Sequence, residues 1–261
     1  MGSADEQGKL WGASVVDWAQ YAEPHHEPYW RGMLADMSVQ KGTRVLDTGC
    51  GAGGGARIAI GLGAQVHGID ASPEMISYAQ TSLPEGDFRV GELEEMPYDD
   101  DYFDAVMAAN SVQYAQNPKN ALREIRRVCR PDGKISVCTW DVAEKNEQRL
   151  LHATISKHMP QKPNSAAGPF ALAASGVLEK FVESAGLKVI SGEIIPVIFS
   201  YENLNKFIRH QFSTGANQKT IASFGADNFR DVISEFYEEH QGNDGVLRIH
   251  NQFRFVTAIP V

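Results

Sequence analysis

The run VLDTGCGAGGGA, Val45 to Ala56, holds five glycines and one aspartate at the junction between an apolar stretch and a helix-forming one. Glycines at such a junction let a ligand approach the backbone closely. Gly49, Gly51 and Gly54 satisfy G-x-G-x-x-G, and an acid follows roughly twenty residues on, which formally permits a dinucleotide site. The surrounding residues point to different chemistry. Asp47, two residues before the first glycine, sets a negative charge where a pyrophosphate would sit, and suits a ligand bearing an ammonium and a sulfonium. Asp70 closes the next apolar run, where a carboxylate can accept from both hydroxyls of a ribose. Glu92 closes the one after, where an adenine amino group needs an acceptor. Three acids at consecutive strand ends describe a cationic adenosine ligand without phosphates.

Those acids must be positioned by a sheet. The pattern predicts strands at Arg44 to Asp47, Gln65 to Asp70, Phe88 to Glu92, Phe103 to Asn110 and Lys134 to Trp140. Between them lie helices opened by Ser72-Pro73-Glu74 and Asn117-Pro118, each an N-cap followed by proline at the first helical position. The first buries Met75, Ile76, Ala79 and Leu83, the second Leu122, Ile125, Val128 and Cys129. The turn Arg130 to Gly133 leads into the fifth strand. Strand–helix alternation implies a doubly wound α/β sheet, with ligands at the carboxyl ends of its strands. A helix over 175–186, a strand around Ile194 to Phe199 and an antiparallel strand over Leu247 to Ile259 complete a Rossmann-like, seven-stranded, mostly parallel sheet. The roughly forty residues between these last two strands exceed an ordinary connection and include a helix with an apolar stripe at Phe229, Val232, Ile233, Phe236 and Tyr237.

Composition narrows the partners. The chain has 261 residues and a formal net charge of −9, a surface that repels phosphate backbones, so nucleic acid is a poor expectation. Arg123, Arg126, Arg127 and Arg130 read as a solvated helix face. Cys50, Cys129 and Cys138 form no C-x-x-C pair and read as reduced thiols of a cytoplasmic protein. No apolar run is long enough to span a bilayer, and no residue set reads as a metal site.

Taken with GIDAS, FRVGELEEMPYDDDYFDAV and ALREIRRVCRPDGKISV, the run VLDTGCGAGGGA resembles the class I S-adenosylmethionine-dependent methyltransferases, most closely the small-molecule branch of the ubiquinone- and menaquinone-biosynthesis type. The resemblance covers about residues 40 to 140 and keeps the family's D-x-G-x-G-x-G at Asp47, Gly49, Gly51 and Gly53; Glu92-Leu93 departs from the Asp-Ala of many relatives. It implies that S-adenosylmethionine is the cofactor and that Gly49, Cys50, Gly51 and Gly53 pass its methionine end. It further implies that Asp47 orients the amino group, Asp70 holds the ribose, Ala71 and Met75 bound the adenine, and Glu92 or Leu93 meets its edge. Asn110 frames the methionine tail, with Gln113 and Tyr114 in the same loop on the substrate side.

Within Trp18 to Trp30, which in relatives folds across the cofactor, Tyr21 is the expected cofactor contact. His25, His26 and His210 are the expected bases; Trp140, Phe170 and Phe212 are expected to wall an apolar acceptor pocket. The domain reading is a helical segment at 1–40 over the cofactor, a core at 41–200 and 246–261, and a helical lid at 201–245. The expected activity is in-line transfer of a methyl group to an O, N or C atom of an aromatic or apolar small molecule. An NAD(P)-dependent oxidoreductase and a non-catalytic S-adenosylmethionine-binding subunit remain as alternatives.

Overall fold

A computed structural model describes residues 3–158 and 170–261. The chain opens with α1 (Ala4–Gly12), a single turn α2 (Val15–Asp17), a π turn at Trp18–Ala22 and a 3-10 turn at Glu23–His26, then α3 (Glu27–Asp36). The alternating core follows: β1 (Arg44–Thr48), α4 (Gly54–Gly61), β2 (Gln65–Asp70), α5 (Pro73–Ser82), β3 (Asp87–Val90), β4 (Phe103–Ala109), α6 (Pro118–Val128) and β5 (Cys129–Trp140). Then come α7 (Gln148–Lys157), α8 (Val177–Glu183), β6 (Leu187–Tyr201), the helices α9 (Leu204–Ser213), α10 (Gly215–Phe224) and α11 (Ala226–His240), and β7 (Leu247–Pro260).

Among the described residues the strands form one sheet of order β3-β2-β1-β4-β5-β7-β6. Strands β1 to β5 pair in parallel; β7 lies antiparallel between β5 and β6. This is the Rossmann-like α/β architecture expected from the alternation. The order reverses between β1 and β4, the switch point where α/β sheets hold ligands. Apolar packing occupies both faces. Tyr29, Met33 and Leu34 of α3, Ala56 and Ala59 of α4, and Ile76 and Ala79 of α5 belong to one core. Leu122 and Ile125 of α6 join Leu178 and Val182 of α8 in the other.

Local signals act as their chemistry dictates. The Ser72 hydroxyl accepts from Met75 N at 3.1 Å, and the Asn117 side chain accepts from Lys119 N at 3.2 Å, so both caps hold. Boundaries differ where tertiary pairing overrides local pattern. β3 ends at Val90, so Glu92 lies past it, in a bridge with Glu95. The Arg130–Gly133 turn sits inside β5 as a bulge, because Cys129 pairs with Phe103 and Lys134 with Ala105. β6 extends far beyond 194–199 because β7 offers a partner along its whole length. The helix expected over 175–186 is shorter, opening after Gly176 and closing before Gly186, both with left-handed φ.

Phe253 on β7 is fully buried, with ring centroids 4.6 Å from Tyr29 and 4.3 Å from Trp140, and so couples the sheet to α3. Phe253→Ala is expected to cost about 3–5 kcal/mol of stability in urea denaturation.

Candidate functional site

The glycine turn after β1 is held amide by amide. Gly49 N and Cys50 N donate to Ile69 O at 2.7 and 3.1 Å, and Gly53 N donates to Cys50 O at 3.0 Å. Gly51 N donates to Asp70 Oδ2 at 3.0 Å, and Ala52 N to Glu23 Oε1 at 2.8 Å. The turn requires φ of +74°, +55° and +95° at Gly49, Gly51 and Gly53, conformations favoured by glycine. It also has no room for side chains: a Cβ on Gly49 would fall 2.4 Å from that of Ser111, and one on Gly51 3.1 Å from Glu23 Oε1.

Phosphate binding at such a turn relies on free N–H groups at the helix start. Here all five amides from Gly49 to Gly53 already have acceptors within the chain, and two of these are carboxylates, Asp70 and Glu23. A pyrophosphate would have to displace Glu23, which argues against the dinucleotide reading of the glycines.

The turn forms one wall of a large cavity at the strand carboxyl ends, lined also by Asp47, Asp70, Ala71, Met75, Glu92, Leu93 and Asn110. Four carboxylates line it, those of Glu23, Asp47, Asp70 and Glu92, and no lysine or arginine does among the described residues. Burial raises Asp47 to about 7, the Asp70 charge adding and the Ala56 backbone opposing. Burial likewise raises Glu23 to about 8, against the hydrogen bonds from Ala52 and Trp18. Asp70 is raised by burial too, opposed by its bonds from Ser72 N and Gly51 N. Carboxylates crowded out of water without a cation fit a cationic ligand.

The expected contacts do not all stand at the wall. Gly49, Cys50, Gly51, Tyr114, Trp140, His26 and His210 do. Gly53 instead starts α4 and packs toward Leu83. Tyr21 is drawn elsewhere, its hydroxyl accepting from Arg209 at 2.6 Å beneath the guanidinium. His25 is turned toward β6, where Ser200 N donates to its Nε2 at 3.1 Å. Gln113 points its amide at Asn110 Oδ1. Phe170 backs Trp140 from outside the wall, and Phe212 packs on Phe229 under Arg230. Glu92 lines the cavity, yet its oxygens accept from Ala4 N and its own Leu93 N, which ties down α1. Cys50 is no nucleophile: burial, with Asp70, Asp47 and Glu23 nearby, pushes its thiol well above its usual value.

Sequence reasoning missed Glu23, Trp18 and Tyr29. Trp18 Nε1 donates to Glu23 Oε1 at 3.2 Å, and the Tyr29 hydroxyl accepts from Asn110 Nδ2 at 3.3 Å. The available signal was an acid among aromatics in Trp18 to Trp30. No helix is long and apolar enough to cross a membrane, and no cluster of three or more potential metal ligands occurs, both among the described residues.

Comparison with known proteins agrees with this geometry. Residues 46–137 match the family model described as a methyltransferase domain. An uncharacterized protein of Mycobacterium tuberculosis is 32% identical over 151 residues, 56% of this chain and 54% of that one. The demethylmenaquinone methyltransferase of Renibacterium salmoninarum is 33% identical over 112 residues, 42% of this chain and 47% of that one. The chain thus spans about half the length of these curated relatives. Among solved structures, the protein paired with the Trm112 methyltransferase activator of Haloferax volcanii shares the fold, with TM-score 0.62, 22% identity and 96% of both chains covered. Residues 46–137 thus match a methyltransferase domain, and the chain around them has a Rossmann-like fold.

Because Glu23 and Asp47 hold protons in the folded state that the unfolded chain releases, ligand-free stability falls as pH rises from the usual 4.5 or 3.8 toward about 8 and about 7. Glu23→Gln is expected to flatten that decline in thermal denaturation followed across pH.

Proposed function

We propose that the chain transfers a methyl group from S-adenosylmethionine to an O, N or C atom of an aromatic or apolar small molecule. The observation that carries this reading is the cavity with four carboxylates and, among the described residues, no lysine or arginine, centred on a glycine turn whose amides are already bonded. Such a site accepts a cationic adenosine compound and resists a phosphorylated one. The identity to a demethylmenaquinone methyltransferase supports the same class of chemistry.

S-adenosylmethionine supplies an electrophilic methyl group on a positive sulfur. The protein's part is to bind, orient and exclude water. Asp47 and Glu23 face the ammonium and sulfonium charges; Asp70, fixed by two backbone amides, presents its remaining lone pairs to the ribose hydroxyls. Ala71 and Met75 bound the adenine beside Leu93. Asn110, with φ of +53° at the end of β4 and bonded to Tyr29, sits between the cofactor side and the acceptor side. Holding the acceptor in line with the carbon–sulfur bond contributes on the order of several kcal/mol of rate acceleration.

In this reading residues 1–40 form the cofactor's cover, through α1, Trp18 and Glu23. The 201–245 insertion forms the acceptor's cover, since His210, Gln211, Thr214 and Asn217 reach the wall from α9 and α10. Of the expected bases, His26 and His210 have access to the cavity and His25 does not. Burial drops His26 to about 3 and His210 well below its usual value, so both are neutral imidazoles that can accept a hydrogen bond but are weak bases.

Isothermal titration tests the cofactor. S-adenosylhomocysteine is expected to bind, Asp70→Ala to weaken it at least about tenfold through loss of a charged hydrogen-bond partner, and NADH not to bind. Binding of NADH alone would overturn the reading.

A further inference from the structure

Tyr201, the last residue of β6, is buried, and its hydroxyl lies 2.9 Å from His210 Nδ1 on α9. Those two atoms alone leave the direction of the bond open, since a phenol and an imidazole can each donate or accept. The side chains behind Tyr201 fix it. Asn217 turns one atom, Nδ2, to two oxygens of Gln211: the backbone carbonyl at 2.9 Å and the side-chain Oε1 at 3.2 Å. A backbone carbonyl only accepts, so the atom facing it is the Asn217 amide nitrogen, and the Gln211 atom facing that nitrogen is an oxygen. The Gln211 amide nitrogen is left pointing the other way. Tyr201 lies there: burial raises its phenol, and a hydrogen bond from the Gln211 side chain works against that. The phenolic oxygen therefore accepts from Gln211, and its hydrogen is donated to His210 Nδ1.

The chain of bonds has one consequence at its end. An uncharged imidazole that accepts at Nδ1 carries its single proton at Nε2. His210 is uncharged at neutral pH, because burial, with His25 and His26 nearby, holds it well below its usual value. Its backbone is pinned as well, the carbonyl accepting from Ser213 Oγ at 2.8 Å and Thr214 Oγ1 at 3.1 Å. The ring lines the cavity, with the Phe199 and Trp18 rings 5.8 and 6.5 Å away. Its Nε2 has no partner among the described residues and is not sealed from the cavity as His25 Nδ1 is from solvent.

We propose that Tyr201 is a positioning residue that locks His210 in its Nε2–H tautomer, so that His210 turns a hydrogen-bond donor, not a base, toward the cavity. Such a group recognises a free lone pair, on a carbonyl or ether oxygen or a ring nitrogen. A hydroxyl would be met at its oxygen and would lose its proton to some other group. The tautomer stands on the hydrogen bonds alone; its role toward a methyl acceptor rests on the methyl-transfer reading of the site.

The test is nitrogen-15 NMR of the full chain labelled at histidine, the His210 signals being identified by their loss in His210→Gln. The expected result is a proton on Nε2 and an Nδ1 signal displaced from that of an unbonded imidazole nitrogen by the bond it accepts. Tyr201→Phe keeps the ring and removes the hydroxyl, and is expected to return the Nδ1 signal to the unbonded position. A contact that only ties α9 to β6 would lower the melting temperature on its loss without that shift. A proton on Nδ1 in the unmodified chain, or an Nδ1 signal that Tyr201→Phe does not move, overturns the proposal; the first of these is read without any variant having to fold. Failure of the unmodified chain to bind S-adenosylhomocysteine in calorimetry overturns the methyl-transfer reading and leaves the tautomer standing.

Discussion

Everything at the carboxyl edge of this sheet depends on burying acids beside one turn. Glu23 and Asp47 are buried and Asp70 is partly buried beside them, and among the described residues no lysine or arginine stands at the cavity wall to balance them. Backbone amides do part of that work. The Gly51 and Ser72 amides hold Asp70, and the Ala52 amide together with the Trp18 indole holds Glu23. The remaining cost is carried by protons bound near neutral pH or by a cationic ligand, and this makes the site selective before any shape is considered.

The same constraint explains the N-terminal segment. A carboxylate at 23 bonds to the turn only if the chain ahead of α3 folds back over β1, and the π and 3-10 turns from Trp18 to His26 provide that path. Further anchors act together with it: Ala4 N on Glu92, Ser3 Oγ on Tyr114 O, and Arg209 on Asp17 and Tyr21. The last of these ties the N-terminal segment to α9.

The core was legible because its signals are local and redundant. Proline after Ser72 and Asn117, the alternation of apolar runs, and acids at run ends all point the same way, and the strand order follows from right-handed crossovers. Cavity residues on β1, β2 and β4 came with it, since a strand end defines where its last side chain points. The N-terminal and insertion residues were not legible in this way. Tyr21 adjoins Ala22 and His25 adjoins His26, and on a π turn next to a 3-10 turn no fixed period tells which of them faces inward. Phe212 was lost to a partner, Phe229, seventeen positions away on another helix.

The place of β7 has a consequence for how the molecule comes to be assembled. It enters the sheet between β5 and β6, though it follows both in the chain. Until residues 247–260 exist, β6 has no neighbour in the sheet, and the three helices of the insertion hang from an unpaired strand. The sheet from β3 to β5 can form on its own earlier contacts. The cavity wall at Phe199 cannot, since β6 is pinned in the sheet only by β7. The topology therefore favours a sheet that forms from β1 to β5 before β6, β7 and the helices between them are added.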